Sequence, residues 1–403
     1  TNVKGNFSIV GMRPGGPYTL TVSYIGYQSI KLENIQLSLG ETETFNVELK
    51  DDTKQITSVV VTGSKGNKFN AQKTGAGTNF TRRNIERVPT VSRSLMDIAK
   101  LTPQSNGSGS FAGANSRFNS FQIDGAVNND VFGLGASGKN AISLEAIDAL
   151  QVVIAPFDVR QSGFTGGSVN AITKSGTNDF HGSVYSYFQN GNLVGNRYVR
   201  HDGKDSSDYG DMTDYTWGAT LGGPIVKDKL FFFANYERAS KEFDNAYSTN
   251  NGMSKVDFTE AQAILNEVKA MAAKQGINYQ GVLGTPKEYS YSDKVGLKLD
   301  WNINDRNHAS LRWSMVDAKQ NNNTSGAYSL VTNDYAYDFI SKTNSLVFEL
   351  NSRIGKNMNN EFHASWVSVR DKRNPGAAFP MISISNVGNG TLNIGNERSS
   401  MAN

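Results

Sequence analysis

From about residue 180 the chain alternates between apolar and polar positions. Tyr215, Trp217, Ala219 and Leu221 interleave with Asp214, Thr216, Gly218 and Thr220. Val295, Leu297, Leu299, Trp301 and Ile303 interleave with Lys294, Gly296, Lys298, Asp300 and Asn302. Ala309, Leu311, Trp313 and Met315 do so with His308, Ser310, Arg312 and Ser314. Leu346, Phe348 and Leu350 face away from Ser345, Val347, Glu349 and Asn351, and Phe362, Ala364 and Trp366 from Glu361, His363 and Ser365. A period of two places all residues of one kind on one face of a β-strand. The pattern predicts strands near 180–189, 214–221, 229–238, 291–303, 307–317, 338–351 and 358–369, the third with aromatic residues on both faces.

The connections between these strands are short and long in turn. The short ones are Gly222–Asp228 (with Pro224 inside), Asn304–Arg306 and Arg353–Asn357; the long ones are roughly 190–213, 239–290, 318–337 and 370 onward. Outer-membrane barrels have this rhythm, with short turns at one rim, long loops at the other, apolar side chains toward lipid and polar ones toward the lumen. A soluble sandwich has no reason for it. The longest loop holds one predicted helix. Thr259 to Gln262 reads as a capping box, Ala261, Ile264, Leu265, Val268, Met271 and Ala272 form an apolar face, and Gly276 is the stop. Packing on neighbouring loops is the expected role of this helix, with a lid over a lumen as the other reading.

The first 180 residues differ. Phe7 and Ile9, then Tyr18, Leu20, Val22 and Tyr24, then Ile30, Leu32, Ile35 and Leu37, then Phe45, Val47 and Leu49 predict a small, incomplete β-sandwich over 1–50, with a turn at Pro14–Pro17. Residues 51–80 are a polar linker around one apolar island, Ile56 to Gly63. That island is either one more structural strand or an exposed segment able to add to a partner's sheet edge. Residues 81–179 read as a mixed α/β unit: a short helix over Ser92–Lys100, a strand at Phe121–Gly125, a short helix capped by Ser143 with Leu144, Ile147 and Leu150 inward, and a buried strand at Leu150–Ile154. Two polar, glycine-containing loops, 104–118 and 126–140, lie between these elements. The glycine-rich stretch Gly163–Gly182 (GFTGGSVNAITKSGTNDFHG) marks the seam between the mixed unit and the alternating region.

Composition removes several function classes. The chain has no cysteine, which excludes disulfide scaffolds and cysteine metal sites. A net charge of +3 gives no argument for nucleic acid. Mean hydropathy is -0.45 and no long apolar run is present, which excludes a helical membrane span but says nothing of barrel strands.

No catalytic constellation is found. His181, His201, His308 and His363 are scattered, and His308 and His363 fall on polar strand faces. Asp202, Asp205, Asp208, Asp211 and Asp214 form an acidic run without the order of a calcium loop, and read as a solvated loop. Gly133–Gly138 resembles a dinucleotide-binding loop but lacks the strand and helix around it.

The opening stretch GNFSIVGMRPGGPYTLTVSYIGYQ resembles the carboxypeptidase-regulatory-like domain that precedes many outer-membrane transporters of the Bacteroidota type. The order of regulatory-like sandwich, VVVTG box, plug with Phe121–Gly125, glycine seam and barrel resembles the N-terminal portion of a TonB-dependent outer-membrane receptor. It is most similar to the Oar-like, OmpA-related branch. The resemblance implies a mainly β fold: an incomplete sandwich (1–50), a linker with the TonB box (51–80), a plug (81–179), and about seven strands of an incomplete transmembrane β-barrel (180–403). Plugged barrels of this kind have about 22 strands, so the native chain is expected to continue past Asn403.

The resemblance further implies that Val59, Val60, Val61, Thr62 and Gly63 pair with TonB, itself driven by ExbB and ExbD. It places the protein among the lipids of a Gram-negative outer membrane, with the sandwich and plug on the periplasmic side. Its function would be energised movement of a peptide, protein or glycan; the alternative is a passive surface or adhesion protein. Substrate contacts are expected on the plug loops, at Phe111, Arg117, Phe118, Asn119, Asn128, Asn129 and Phe132. No enzymatic activity, cofactor or metal is expected.

Overall fold

The alternating region forms one continuous antiparallel sheet in the computed structural model of the protein. The structure describes residues 5–9, 12, 15–27, 29–37, 43–49, 60–62, 76–90, 93–106, 110–115, 118–129, 142–154, 163–193, 212–248, 253–284, 287–355, 358–375, 379–396 and 401–402. The chain divides into two compact units. One is Thr1–Ser175 with Ile303–Ala309 and Glu349–Ala364; the other is Gly176–Asn302 with Ser310–Phe348 and Ser365–Asn403.

The first unit begins with a small sheet of β1 (Gly15–Val22), β2 (Ile30–Leu37) and β3 (Val60–Thr62), in that spatial order. β1 and β2 are antiparallel with Leu20 opposite Leu32, and β3 runs parallel to β2 with Val61 opposite Leu32. The sequence predicts strands at Phe7–Ile9 and Phe45–Leu49 as well, yet residues 6–9 and 43–49 form none. Phe7 and Ile9 remain exposed. An alternating run becomes a strand only where a neighbour completes its ladder.

A second sheet in this unit carries β4 (Ala76–Thr81), β5 (Ser120–Ile123), β6 (Ala126–Val127), β7 (Ile147–Ile154) and β8 (Gly167–Thr173), in the order β4-β7-β8-β5-β6. It is mixed: β5 and β8 are parallel, and β7 is antiparallel to both its neighbours. The unit also has two short helices, α1 (Arg82–Arg87), which packs against β4 and β7, and α2 (Leu95–Ala99). Ser94 caps α2, two residues later than the predicted start, in a capping box with Asp97. The predicted helix after Ser143 is a single 3-10 turn, Leu144–Ala146, because β7 takes over at Ile147. Ile98, Ala99, Phe111, Leu150, Val152, Val169 and Ala171 form the buried core.

The long strands are β9 (His181–Asn190), β10 (Met212–Val226), β11 (Leu230–Asp244), β12 (Lys287–Asn304), β13 (Asn307–Asn322), β15 (Tyr337–Ile354) and β16 (Met358–Pro375), which belong to the second unit except for Ile303–Ala309 and Glu349–Ala364. They lie side by side in sequence order, and the two-residue β19 (Met401–Ala402) adds beyond β16. The seven predicted strands are all present, mostly longer than their sequence cores. One boundary moves. Gly222–Val226 reads as turn in the sequence but belongs to β10, and the turn shrinks to Lys227–Lys229. Pro224 is tolerated because β9 pairs with β10 only as far as Gly222, so its missing N–H interrupts no ladder on that side.

The long connections carry structure of their own. α3 (Phe258–Lys274) packs with β14 (Ser329–Val331), β17 (Ile382–Val387) and β18 (Gly390–Ile394), which form a separate sheet in the order β14-β18-β17. Leu265, Leu330, Leu392 and Ile394 are its buried centre. Asp257, not Thr259, caps α3 by accepting from the N–H groups of Thr259 and Glu260. Glu260 accepts from the Gly388 N–H at 2.8 Å, tying the helix start to the β17–β18 turn. Gly276 takes φ +75° as predicted, while Met271, expected on the apolar face, is exposed.

Candidate functional site

Three features bear on function. The first is the distribution of polarity over the long sheet. On β12, Leu297, Leu299, Trp301 and Ile303 are exposed, whereas Lys294, Lys298 and Asp300 are buried. β13 and β15 repeat this: Leu311, Leu346 and Phe348 are exposed, and Arg312, Ser341 and Ser345 are buried. In water each large apolar side chain left exposed forgoes roughly 1.5–3 kcal/mol, and buried charge is costly unless paired. The sheet is therefore inside-out for an aqueous protein and right for a surface facing hydrocarbon.

The buried polar face is organised. Tyr185, Gly218, Glu237 and Lys294 stand opposite one another in one row across β9, β10, β11 and β12. Lys294 Nζ lies 2.8 Å from Glu237 Oε1, both side chains under a tenth exposed, and Tyr185 Oη donates to Glu237 Oε2 at 2.9 Å. Arg312 donates to the Ser314 and Ser345 hydroxyls.

The second feature is the Asp124–Gly125 turn between β5 and β6. Both residues have positive φ, +47° and +76°, the two-residue hairpin geometry that favours Asp-Gly. The Asp124 carboxylate accepts from the Thr173 N–H at 2.8 Å and from its hydroxyl at 2.7 Å. Thr173 ends β8, so this contact ties the turn to the last strand before the seam. His363 Nε2 is 3.1 Å from the Asp124 carbonyl oxygen. A carbonyl only accepts, so that ring nitrogen carries the proton. Just after β8, burial pulls the Lys174 ammonium below its ordinary value, helped by nearby Arg82 and opposed by Glu145, Glu86 and Asp148. The sequence contains Asp124–Gly125 as a strand entering a turn, but nothing local in it signals Thr173 or His363 as partners.

The plug-loop residues separate into two groups. Phe111 is fully buried, and a Cβ on Gly167 would meet its ring at 2.6 Å, so glycine is what lets it seat. Asn119 is buried and accepts from the Gly167 N–H at 3.0 Å. Asn129 accepts from the Phe121 N–H at 2.7 Å. These three side chains are spent on internal packing and bonding. Phe118 is 58% exposed, and Asn128 is half-buried with its N–H donating to Phe121. Arg117 and Phe132 lie outside the described residues, as do the Gly133–Gly138 loop and the aspartates 202–211. Asp214, the last of that acidic run, lies on β10 with Lys241 Nζ 3.8 Å away.

The third feature is the linker island. Val60, Val61 and Thr62 form β3 on the edge of β2, while Val59 and Gly63 lie outside the described residues.

Comparison with known proteins adds to this geometry. Residues 172–263 match the outer membrane beta barrel domain family and residues 1–50 the carboxypeptidase regulatory-like domain family. The chain is 31% identical over 307 residues to the TonB-dependent transporter Oar of Myxococcus xanthus, a match covering 70% of this chain and 28% of that protein. It is 28% identical over 161 residues to the probable TonB-dependent siderophore receptor PirA of Acinetobacter baumannii, covering 36% of this chain and 19% of PirA. The chain thus spans well under half the length of these relatives. Among solved structures, the outer membrane transporter YddB of Escherichia coli superposes with a TM-score of 0.56 at 14% identity, over 81% of this chain and 43% of YddB. The A. baumannii PirA crystal structure gives 0.50 at 18% identity over the same shares. These two likenesses concern the fold.

Proposed function

We propose that this chain, a member of the TonB-dependent outer-membrane receptors located in the outer membrane of a Gram-negative bacterium, works as the sandwich, plug and first barrel strands of an energised transporter. The inside-out long sheet, entered directly from the β8 strand through the glycine seam, carries this reading. Such a sheet needs lipid on one face, and its buried, paired polar face suits a lumen.

Energy would come from the inner-membrane proton gradient through TonB, with ExbB and ExbD, acting on Val59–Gly63. Strand pairing supplies affinity through backbone bonds and asks little of side chains, which suits this short, β-branched segment. Pulling there would act on the plug that Asp124 and Thr173 hold together. A large polar substrate (peptide, protein or glycan) is the reading that the polar loops 104–118 and 126–140 favour, with Phe118 and Asn128 as contact candidates beside Arg117 and Phe132. The name of the PirA relative speaks of siderophores, and a ferric chelate is the competing cargo. We assign no catalytic step.

The test is a chain with Val60→Pro and Val61→Pro, in a strain whose growth on a peptide or glycan source depends on this receptor. Proline removes the N–H groups that strand pairing uses. Lost growth with unchanged outer-membrane abundance supports the transporter; unaffected growth contradicts it and favours a passive surface or adhesion protein.

A further inference from the structure

The relation of the linker island to the N-terminal sheet points to an arrangement beyond the coupling role proposed above, on which it rests. β3 is the last strand in the order β1-β2-β3. Its register against β2 is parallel, with Lys31 opposite Val60, Leu32 opposite Val61 and Glu33 opposite Thr62. β2 is paired on its other side to β1. One edge of Val60–Thr62 is therefore already engaged, and among the described residues no strand lies against the opposite edge.

We infer that the β2 edge is a cradle that presents Val60–Thr62 as an ordered edge strand, and that the partner it fits is an extended strand of TonB adding to the outer edge of β3. Three physical points support this. A strand has two hydrogen-bonding edges, and pairing through one leaves the other able to pair. A segment already held extended loses less conformational freedom when a partner strand adds, so presentation raises affinity without any new contact. Finally, the sheet that results would have β3 in an interior position, where a β-branched Val-Val-Thr segment sits best.

The opposite arrangement, in which β2 masks the island and TonB must strip it away, makes the reverse prediction about a locked pair. The chain contains no cysteine, so an introduced pair is the sole route to a disulfide. Opposed residues on neighbouring strands lie about 5 Å apart, within the span that a disulfide accepts. The experiment uses the full chain with Leu32→Cys and Val61→Cys, and a second variant with Leu20→Cys and Leu32→Cys across β1 and β2 as a control for disulfide formation. Binding of the TonB C-terminal domain is measured before and after oxidation.

The expected result is a disulfide between the cysteines introduced at positions 32 and 61, found by peptide mapping, with the oxidised chain binding TonB two- to tenfold more tightly than the reduced one. Either of two results overturns the cradle: no crosslink where the β1–β2 control pair forms one, or a crosslinked chain that has lost TonB binding, which means β2 masks the island. Failure of the coupling reading has its own signature. The cysteine-free chain then binds no TonB before any oxidant is added, and the cradle falls with it.

Discussion

Tyr185 reaches Glu237 across the width of an intervening strand. The two residues sit on β9 and β11, and the residue between them on β10 is Gly218. A Cβ at Gly218 would stand 2.4 Å from the Tyr185 hydroxyl and 2.6 Å from the Tyr236 carbonyl. The glycine is what lets the phenol lie flat over the sheet and donate to a carboxylate that also pairs with Lys294. Gly218→Val is expected to expel Tyr185 and cost at least what that bond to a charged group contributes, about 1.5–3 kcal/mol. Thermal unfolding in detergent checks this. Tyr185→Phe should reproduce the smaller part of the loss, since it removes the bond without the clash.

The buried Lys294–Glu237 pair should behave asymmetrically. Lys294→Met takes the ammonium away from the buried Glu237 carboxylate and is expected to cost about 3–5 kcal/mol. Adding Glu237→Leu should restore much of that loss, because no uncompensated charge remains. Denaturant unfolding of both single variants and the double variant measures the coupling.

The α3 module should unfold in steps of its own. Leu265 is wholly buried among Leu330, Leu392 and Ile394, so Leu265→Ala is expected to cost about 2–5 kcal/mol, local to that core. Hydrogen exchange should quicken over α3, β14, β17 and β18 and leave β9–β13 unchanged.

Tyr279 gives that module a pH dependence. Its hydroxyl is buried, donates to Asp334 at 2.9 Å, and its ring stacks on Phe379 at 3.9 Å. Burial first, and then the charge of Asp334, push the phenol up to about 12. A raised value favours the neutral form in the folded state. The stability this provides is whole below about pH 10, the ordinary tyrosine value, and is lost as pH climbs from there through about 12. Proteolysis of the module should quicken over that window. Tyr279→Phe should remove this slope, leaving a chain less stable at neutral pH by about 1.5–3 kcal/mol for the missing bond to a charged group.

The parts of the fold that were legible in the sequence are those governed by local periodicity. On β12 a polar residue at every second position was enough to place Leu297, Leu299 and Trp301 on one face and Lys294, Lys298 and Asp300 on the other. The paired short and long connections then pointed to a barrel. What sequence reading missed depends on partners distant in the chain. Pro224 read as a turn, because whether β9 extends past Gly222 is decided more than thirty residues away, at His181. Thr259 looked like a cap, but Asp257 stands closer to the helix start and Glu260 is drawn to Gly388. β14, β17 and β18 are too short to show a period and exist because three separate connections share one core with α3.

The plug shows the same division. Asp124–Gly125 was visible as a turn, and both φ values explain why that pair is used. Phe111 and Asn119 looked like loop-tip contacts because aromatic and amide residues in a Gly-Ser loop resemble a binding surface. Their burial follows from Gly166 and Gly167, whose missing side chains let the loop close onto β8. The parallel seat of Val60–Thr62 on β2 has no local signature at all.

Coupling of the linker island to TonB, as proposed, is open to calorimetry. A peptide spanning Ile56 to Ser64 is titrated into the TonB C-terminal domain, alongside the same peptide with Val60→Pro. Saturable binding of the native peptide, abolished by the proline, is the expected result. Equal binding of both peptides, or none by either to the cognate TonB, would contradict it.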